Sequence, residues 1–309
     1  ARVLMVARDL AALDRQATLL RERYASGGAT IAVAAADVAR RDEVERAAQT
    51  AVAQFGGIDT WINNAGVAWV GSVIDDYDEA RARRLVDTNF WGVVNGSLAA
   101  VAQMRRRGGT LINVGSMLSD RAVPLQSVYS AAKHAVKGFT DGLRQELRAA
   151  GVPIDVVLVK PASIATPLIE HAAHPPGRRP RLVSPLYTPD DVAAAMLRAA
   201  VQPVRDLHIG AAARAVGVIG AVAPELLDLA STDLVQRQWR HEPSDGSGGN
   251  LDTPSTDSHG RVYGDHPGQS ARPSGTTRLE SRLGPISQTA FAMLETPARV
   301  LRWVLNGRR

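Results

Sequence analysis

Up to about residue 210 the chain alternates short apolar, often β-branched runs with longer stretches whose apolar residues recur every three or four positions. Such alternation builds strand–helix–strand units, in which parallel strands are joined by helices that pack back onto the sheet. Strands are expected over 2–7, 30–35, 58–62, 110–114, 154–159 and 205–209. Helical spacing follows the first strand in Leu10, Leu13, Ala17 and Leu20, and follows the second in Val44, Ala47, Ala48, Ala51, Val52 and Phe55. Val156-Val157-Leu158-Val159 is apolar at every residue, as a strand buried on both faces must be. The expected fold class is α/β, a doubly wound parallel sheet.

Composition changes after Trp239. Residues 241–277 are dominated by Gly, Ser, Pro, Asp and Thr, with almost nothing apolar to bury. Three segments are therefore expected: a folded domain over 1–239, a low-complexity linker over 240–285, and a basic tail over 286–309. In that tail Phe291, Leu294, Val300, Leu301, Trp303, Val304 and Leu305 stand among arginines, and Pro297 divides two short helical pieces. The formal charge of +5 belongs to the end of the chain, because 271–309 carries seven arginines against Glu280 and Glu295 while the remainder balances. A neutral domain offers nucleic acid no basic face, whereas the tail suits peripheral contact with an anionic membrane or a partner subunit. The absence of cysteine excludes disulfides, cysteine nucleophiles and thiolate metal sites. The histidines have no metal-ligand spacing, so no metal is expected. The apolar run over 215–224 is about half the 20 residues that a spanning helix requires. A soluble, cytoplasmic protein is expected.

Ligands of open α/β sheets sit beyond the carboxyl ends of the strands. After the first strand comes Arg8, a cation suited to a ribose 2′-phosphate, or else one of 33 arginines on the surface. After the second comes Asp37, placed to accept from an adenine amino group or to cap a helix. After the third, Asn63-Asn64-Ala65-Gly66 joins turn-forming amides to small residues, as a ligand's close approach or an ordinary tight turn would require. The fourth strand exits at Ser116, and thirteen residues later Tyr129 opens a helix that carries Lys133 one turn on. A phenol with its ordinary pKa near 10 exchanges protons poorly at neutral pH, and a neighbouring ammonium stabilises the phenolate. Lysine is scarce here, only Lys133, Lys137 and Lys160, which argues against a chance pair on a solvated face, an alternative that Lys137 one turn further on keeps open.

Asn-Asn-Ala-Gly after one strand, Asn113-x-x-Ser116 at the end of the next, and Tyr129-x-x-x-Lys133 together resemble the single-domain branch of the short-chain dehydrogenase/reductases, over residues 1–210. The resemblance implies a Rossmann-like sheet and an oxidoreductase that interconverts a hydroxyl and a carbonyl with NADP, NAD being the alternative, on a small-molecule alcohol or carbonyl. It implies Tyr129 as the proton donor or acceptor, Ser116 as the group that holds the substrate oxygen, Lys133 on the nicotinamide ribose, and Asn89 as the holder of a water in a proton relay. Arg8, Asp37, Val38, Asn63, Ala65 and Gly66 would bind the adenosine and ribose side. Pro161, Ile164 and Thr166 would clasp the nicotinamide carboxamide, with Ala162 where the family has glycine. It further implies a homo-oligomer paired through long helices over 76–107 and 126–150.

Members of that family open on a strand and a glycine-rich turn that seats the cofactor pyrophosphate on a helix N-terminus. About 30 such residues are expected ahead of Ala1, and Gly246, Gly248 and Gly249 have no strand before them with which to replace the turn. The domain is therefore expected to be N-terminally truncated and, as given, to bind cofactor poorly. Two rival readings are a catalytically silent Rossmann-like binding or regulatory protein and a nucleotide-sugar epimerase or dehydratase. The second needs a C-terminal sugar-binding domain that the polar stretch after Trp239 is ill suited to form. The substrate walls, 67–72, 117–123 and 168–187, are mostly apolar and favour a lipophilic or aromatic carbonyl.

Overall fold

A computed structural model describes residues 1–229, 231–255, 260–266, 269, 271–272, 274–275 and 277. The chain runs β1 (Arg2–Ala7), α1 (Leu10–Arg23), β2 (Thr30–Ala35), α2 (Arg41–Phe55), β3 (Thr60–Asn63), α3 (Glu79–Val86), α4 (Gly92–Met104), β4 (Gly109–Val114), α5 (Ser127–Ala149) and β5 (Ile154–Pro161). It continues through β6 (Gly177–Pro180), β7 (Leu186–Tyr187), α6 (Pro189–Val201), β8 (Asp206–Ile209), α7 (Ala211–Val222), α8 (Pro224–Leu229), α9 (Ser231–Arg237), β9 (Trp239–Ser244) and β10 (Ala271–Arg272). Local chemistry sets many of these ends. Asp9 caps α1 by accepting from Ala12 N at 2.9 Å, and Asp78 caps α3 by accepting from Arg81 N at 3.0 Å. Gly56 ends α2 in the left-handed conformation, φ +79°.

All six strands expected before residue 210 form and pair in parallel, but in two pieces: β1-β2, and β3-β4-β5-β8. The larger piece shows why β5 reads as continuously apolar. Its Val157 and Val159 join Ile112, Leu207 and Ile209 under Ala195, Met196 and Ala199 of α6, while Ile154 and Val156 join Leu111 under Ala100 and Met104 of α4 and Leu143 and Leu147 of α5. Alternate residues thus face opposite helical layers. β1 and β3 each have a single hydrogen-bonded neighbour. Their apolar runs are correspondingly open: Val3, Val6 and Ile62 are exposed.

The helix expected over 76–107 is interrupted. Between α3 and α4 the residues Asp87–Trp91 form a π-helical turn, which carries the buried Asn89. The polar stretch after Trp239, expected as a linker, packs against the domain in its described part. β9 pairs antiparallel with β6, Ser247 bridges His174, and β10 pairs with β7. Leu251 is only 1% exposed, inside a cluster with Val67, Trp69, Ala82, Leu85, Ala132 and Ala173. Composition missed this because the segment is anchored by one leucine and by its backbone, whose carbonyls the domain's arginines hydrogen-bond. A strand, β9, does precede Gly246, contrary to expectation, yet no helix follows it among the described residues to form an anion cradle. The helical pieces expected over 286–309 lie outside the described residues. No helix among those described is long and apolar enough to cross a membrane.

Candidate active site

The catalytic candidates converge at the exit of β4 and the start of α5. Beyond Val114 the chain turns at Gly115, where a Cβ would come within 2.7 Å of Ser119 Oγ. Ser116 then opens a single 3₁₀ turn, Met117–Ser119, its hydroxyl accepting from Leu118 N at 3.1 Å while Ser119 Oγ accepts from Ser116 N at 3.1 Å. This reciprocal cap fixes the Ser116 backbone. Across from it, Tyr129 and Lys133 share one face of α5. Lys133 Nζ lies 5.7 Å from the Tyr129 ring centroid and donates to Val114 O at 2.9 Å. The ammonium therefore ties α5 to the strand exit and keeps two further N–H donors for a ligand.

Burial raises the Tyr129 pKa to about 12, and the hydrogen bond from Ser116 acts in the opposite direction. Burial lowers that of Lys133 to about 8. At neutral pH the phenol is thus a proton donor and the lysine a cation. Asn89 is completely buried, and its side-chain amide is spent on one peptide group: Oδ1 accepts from Val67 N and Nδ2 donates to Val67 O, both at 2.8 Å. It anchors the loop after β3 to the π-turn, with Gly66 beneath it, where a Cβ would sit 3.3 Å from Asn89 Oδ1. π-turns within helices recur at functional sites.

The residues expected on the adenosine side do not all face a ligand. Asn63 points into the protein: Nδ2 donates to Asn113 Oδ1 at 2.8 Å and Ser97 Oγ at 3.1 Å, and Oδ1 accepts from Trp61 Nε1 at 2.7 Å. Val38 packs over Gly92 of α4, and its carbonyl accepts from Asn95 Nδ2 at 2.9 Å. Asp37 is paired with Arg84, 2.5 Å from Oδ2, and accepts from Ala39 N at 3.0 Å. Burial pushes the Asp37 carboxyl up, but the hydrogen bonds from Arg84 and Ala39 outweigh it and hold the group below the ordinary value. Arg8 donates to the carbonyls of Asn250, Leu251 and Asp252, with distances of 2.8 Å to Leu251 and 3.0 Å to Asp252. Arg84 Nε donates to Leu251 O as well, at 2.9 Å. The segment 250–252 therefore lies across the end of β1. Ala65 is exposed in the loop after β3.

On the opposite side, Pro161 ends β5, and the chain beyond it is held by strand-like bonds: Ala165 N donates to Tyr187 O at 3.0 Å, and Tyr187 N donates to Ser163 O at 2.9 Å. Ile164 packs with Val114 and Val192 against the α6 layer, and Thr166 N donates to Ile164 O at 2.7 Å. The catalytic end fits a nicotinamide ribose, since a buried ammonium with unspent donors stands beside a phenol. At the β1 end, where the adenosine side is expected, Arg8 and Arg84 are engaged by the chain's own carbonyls. Reading the residues in order left three features unassigned: Arg84, Leu251, and the polar chain Asn63–Asn113–Thr140, whose last link is Asn113 Nδ2 to Thr140 Oγ1 at 3.0 Å. Nothing in the sequence around Arg84 distinguishes it from other helical arginines. The extra Asn113 beside Ser116 was on view. No group of three or more metal-ligating side chains occurs among the described residues.

The model of a family described as short chain dehydrogenase matches residues 1–176. The uncharacterized oxidoreductase YxnA of Bacillus subtilis (strain 168) is 40% identical over 248 residues, covering 79% of this chain and 68% of YxnA. A short-chain type dehydrogenase/reductase from Mycobacterium marinum superposes with a TM-score of 0.50 at 31% identity, over 55% of this chain and 66% of that one. An alcohol dehydrogenase from the archaeon Thermococcus sibiricus, solved with 5-hydroxy-NADP, superposes with a TM-score of 0.58 at 20% identity, over 67% of this chain and 84% of that one, a likeness of fold. The match over more than half the chain agrees with the arrangement at the β4 exit, and the protein belongs to the short-chain dehydrogenase family of NAD(P)-dependent oxidoreductases.

Proposed function

We propose that this oxidoreductase interconverts a hydroxyl and a carbonyl with NADP(H) as the preferred cofactor, Tyr129 serving as the acid or base. The observation that carries the reading is the half-buried Tyr129 phenol, one helical turn from the buried Lys133 ammonium, which is itself tied to the strand exit that leads to Ser116. A bound nicotinamide would donate or accept the hydride at the substrate carbon. The Tyr129 O–H would donate its proton to the carbonyl oxygen as hydride arrives, and Ser116 would hold that oxygen in place. Lys133 would bind the ribose hydroxyls, and its charge would offset the phenolate left behind. Asn89, with its amide committed to Val67, would keep the wall of the site rigid. Tyr129→Phe in the full chain is expected to abolish turnover of alcohols such as 1-phenylethanol while leaving NADPH binding within about threefold; retained turnover sinks the assignment.

NADP preference rests on Arg8, a cation just after β1, whose last residue is Ala7 and not an acid that could bind a ribose 2′-hydroxyl, while the next acid, Asp9, is engaged in capping α1. A charge-assisted hydrogen bond contributes about 1.5–3 kcal/mol. Arg8→Ala is therefore expected to lower the NADPH-to-NADH affinity ratio by about tenfold to a hundredfold. An unchanged ratio would move the 2′-phosphate contact elsewhere. One observation favours a second reading, a binding protein without turnover: Arg8 is held by the carbonyls of 250–252. Turnover by the wild-type chain, lost in Tyr129→Phe, decides between them. The same proposal has the enzyme act in the cytoplasm as a homo-oligomer, paired along α4 and α5; Leu98 of α4 and Trp91 of the π-turn before it are exposed.

A further inference from the structure

The chain's three lysines, against 33 arginines, all lie around the catalytic turn. Lys133 belongs to the site itself. The other two converge on a single carboxylate: Lys137 Nζ donates to Asp120 Oδ1 at 2.6 Å, and Lys160 Nζ lies 3.0 Å from Asp120 Oδ2 and 3.2 Å from Asp206 Oδ2. The side chains of Asp120 and Lys160 are 10% and 5% exposed. Around them stand His208 of β8, with Nε2 3.9 Å from Asp120 Oδ2, Arg144 of α5, 3.7 Å from Asp206 Oδ1, and Gly217 of α7, where a Cβ would come within 3.3 Å of Asp120. Two ammonium groups can each take one oxygen of a buried carboxylate as compact point charges, which the broad fork of two guanidiniums could not do in the same space. This accounts for lysine in a chain that otherwise uses arginine.

Each member of the cluster is a short step along the chain from a residue of the active site. Asp120 closes the turn that Ser116 opens, its N–H donating to Met117 O at 3.2 Å. Lys137 is one helical turn beyond Lys133 and two beyond Tyr129. Lys160 immediately precedes Pro161. We propose that Asp120 is a positioning residue: through Lys137 and Lys160 its carboxylate locks the Ser116 turn, the Tyr129–Lys133 helix and the strand leading to Pro161 into one register. The proposal rests on the reading of Tyr129 given above. It also has an electrostatic consequence. Neutralising Asp120 leaves Lys137 and Lys160 less compensated, makes the potential behind the site more positive, and so favours the phenolate.

The test uses the full chain labelled with 3-fluorotyrosine, the Tyr129 resonance being assigned by its loss in Tyr129→Phe. Asp120→Asn is expected to shift or broaden that resonance, to move its alkaline titration to lower pH, and to leave the Tyr24 resonance unchanged. Lys137→Met, which keeps Asp120 on Lys160, should shift the same resonance and serves if Asp120→Asn fails to fold. With 1-phenylethanol and NADP⁺, kcat should fall by about tenfold to a hundredfold with KM changed less than about threefold, the scale expected of small misplacements of reacting groups. Asp120→Glu should recover part of that loss. If both variants leave the Tyr129 resonance and its titration as in wild type, or change melting temperature while kcat per folded molecule holds, the proposal is overturned. Turnover surviving in Tyr129→Phe would instead sink the acid–base reading, with the fluorine spectra still deciding the role of Asp120.

Discussion

At the scale of single residues, the grouping of Ser116, Tyr129 and Lys133 at the β4 exit was legible because it is tied to residue type and spacing. A phenol and an ammonium four apart on a helix, thirteen residues after a strand-end serine, require no tertiary information to be noticed. Asn63 shows the opposite case. Turn-forming character placed it beside a ligand, yet its amide is consumed by Trp61, Ser97 and Asn113 in the interior. Which way a polar side chain points at the end of a strand depends on the neighbouring strand's register, here Asn63 opposite Asn113, and that register is a tertiary fact. The same interior chain disfavours any side chain at Gly96 of α4, because a Cβ there would collide with Asn63 Oδ1 and lie 3.0 Å from Trp61 Nε1. Gly96→Ala gains helix propensity but must displace a bonded amide, so a net loss of about 1–3 kcal/mol is expected, read as a lowered midpoint in thermal or denaturant unfolding. A stability equal to or above wild type would show that the amide can move aside.

At the scale of elements, the order of strands and helices up to β8 follows from hydrophobic period, and the boundaries shift by a few residues where packing decides. β3 begins at Thr60 rather than at residue 58 because Ile58 is drawn into the clusters beneath α2 and α4. The π-turn was invisible, since no residue in Asp87–Trp91 forbids an α-helix; it arises where Asn89 must reach the Val67 peptide. Helix α3 is also linked to the β2 exit by the Arg84–Asp37 pair, with side chains 19% and 20% exposed. The folded-state pKa of Asp37 is depressed, so its contribution is complete above the ordinary carboxylate value and is lost as pH falls through the lowered one. Below about pH 4 the wild-type protein should therefore lose stability more steeply than Asp37→Asn, which has no carboxylate there to protonate. Parallel unfolding curves for the two proteins between pH 5 and 3 would show that Arg84 gains nothing from the charge.

At the scale of the whole molecule, the described part of the polar stretch that reads as a linker packs as part of the domain, and Leu251 is its most deeply buried apolar residue. Leu251 is nearly inaccessible among Val67, Trp69, Ala173 and Leu85, and its carbonyl is shared by Arg8 and Arg84. The docked 250–252 segment and a cofactor 2′-phosphate would thus compete for the same guanidinium. Leu251→Asp places a carboxylate where about 2 kcal/mol of apolar burial is lost and a desolvation cost is added. Because Leu251 is the one residue of 240–255 in a buried apolar cluster, the expected result is undocking of the segment around it rather than unfolding of the sheet. Trypsin should then cut faster at Arg240 and Arg261 while the melting midpoint of the domain changes little. By linkage, removing a competitor tightens the ligand, and each 1.4 kcal/mol of docking energy released corresponds to about tenfold in NADPH affinity. Tighter NADPH binding in Leu251→Asp, with no gain for NADH, would identify the 250–252 segment as a competitor at Arg8. Weaker binding of both cofactors would mean that the segment supports the site, by holding Trp69 and Val67 in place behind Tyr129.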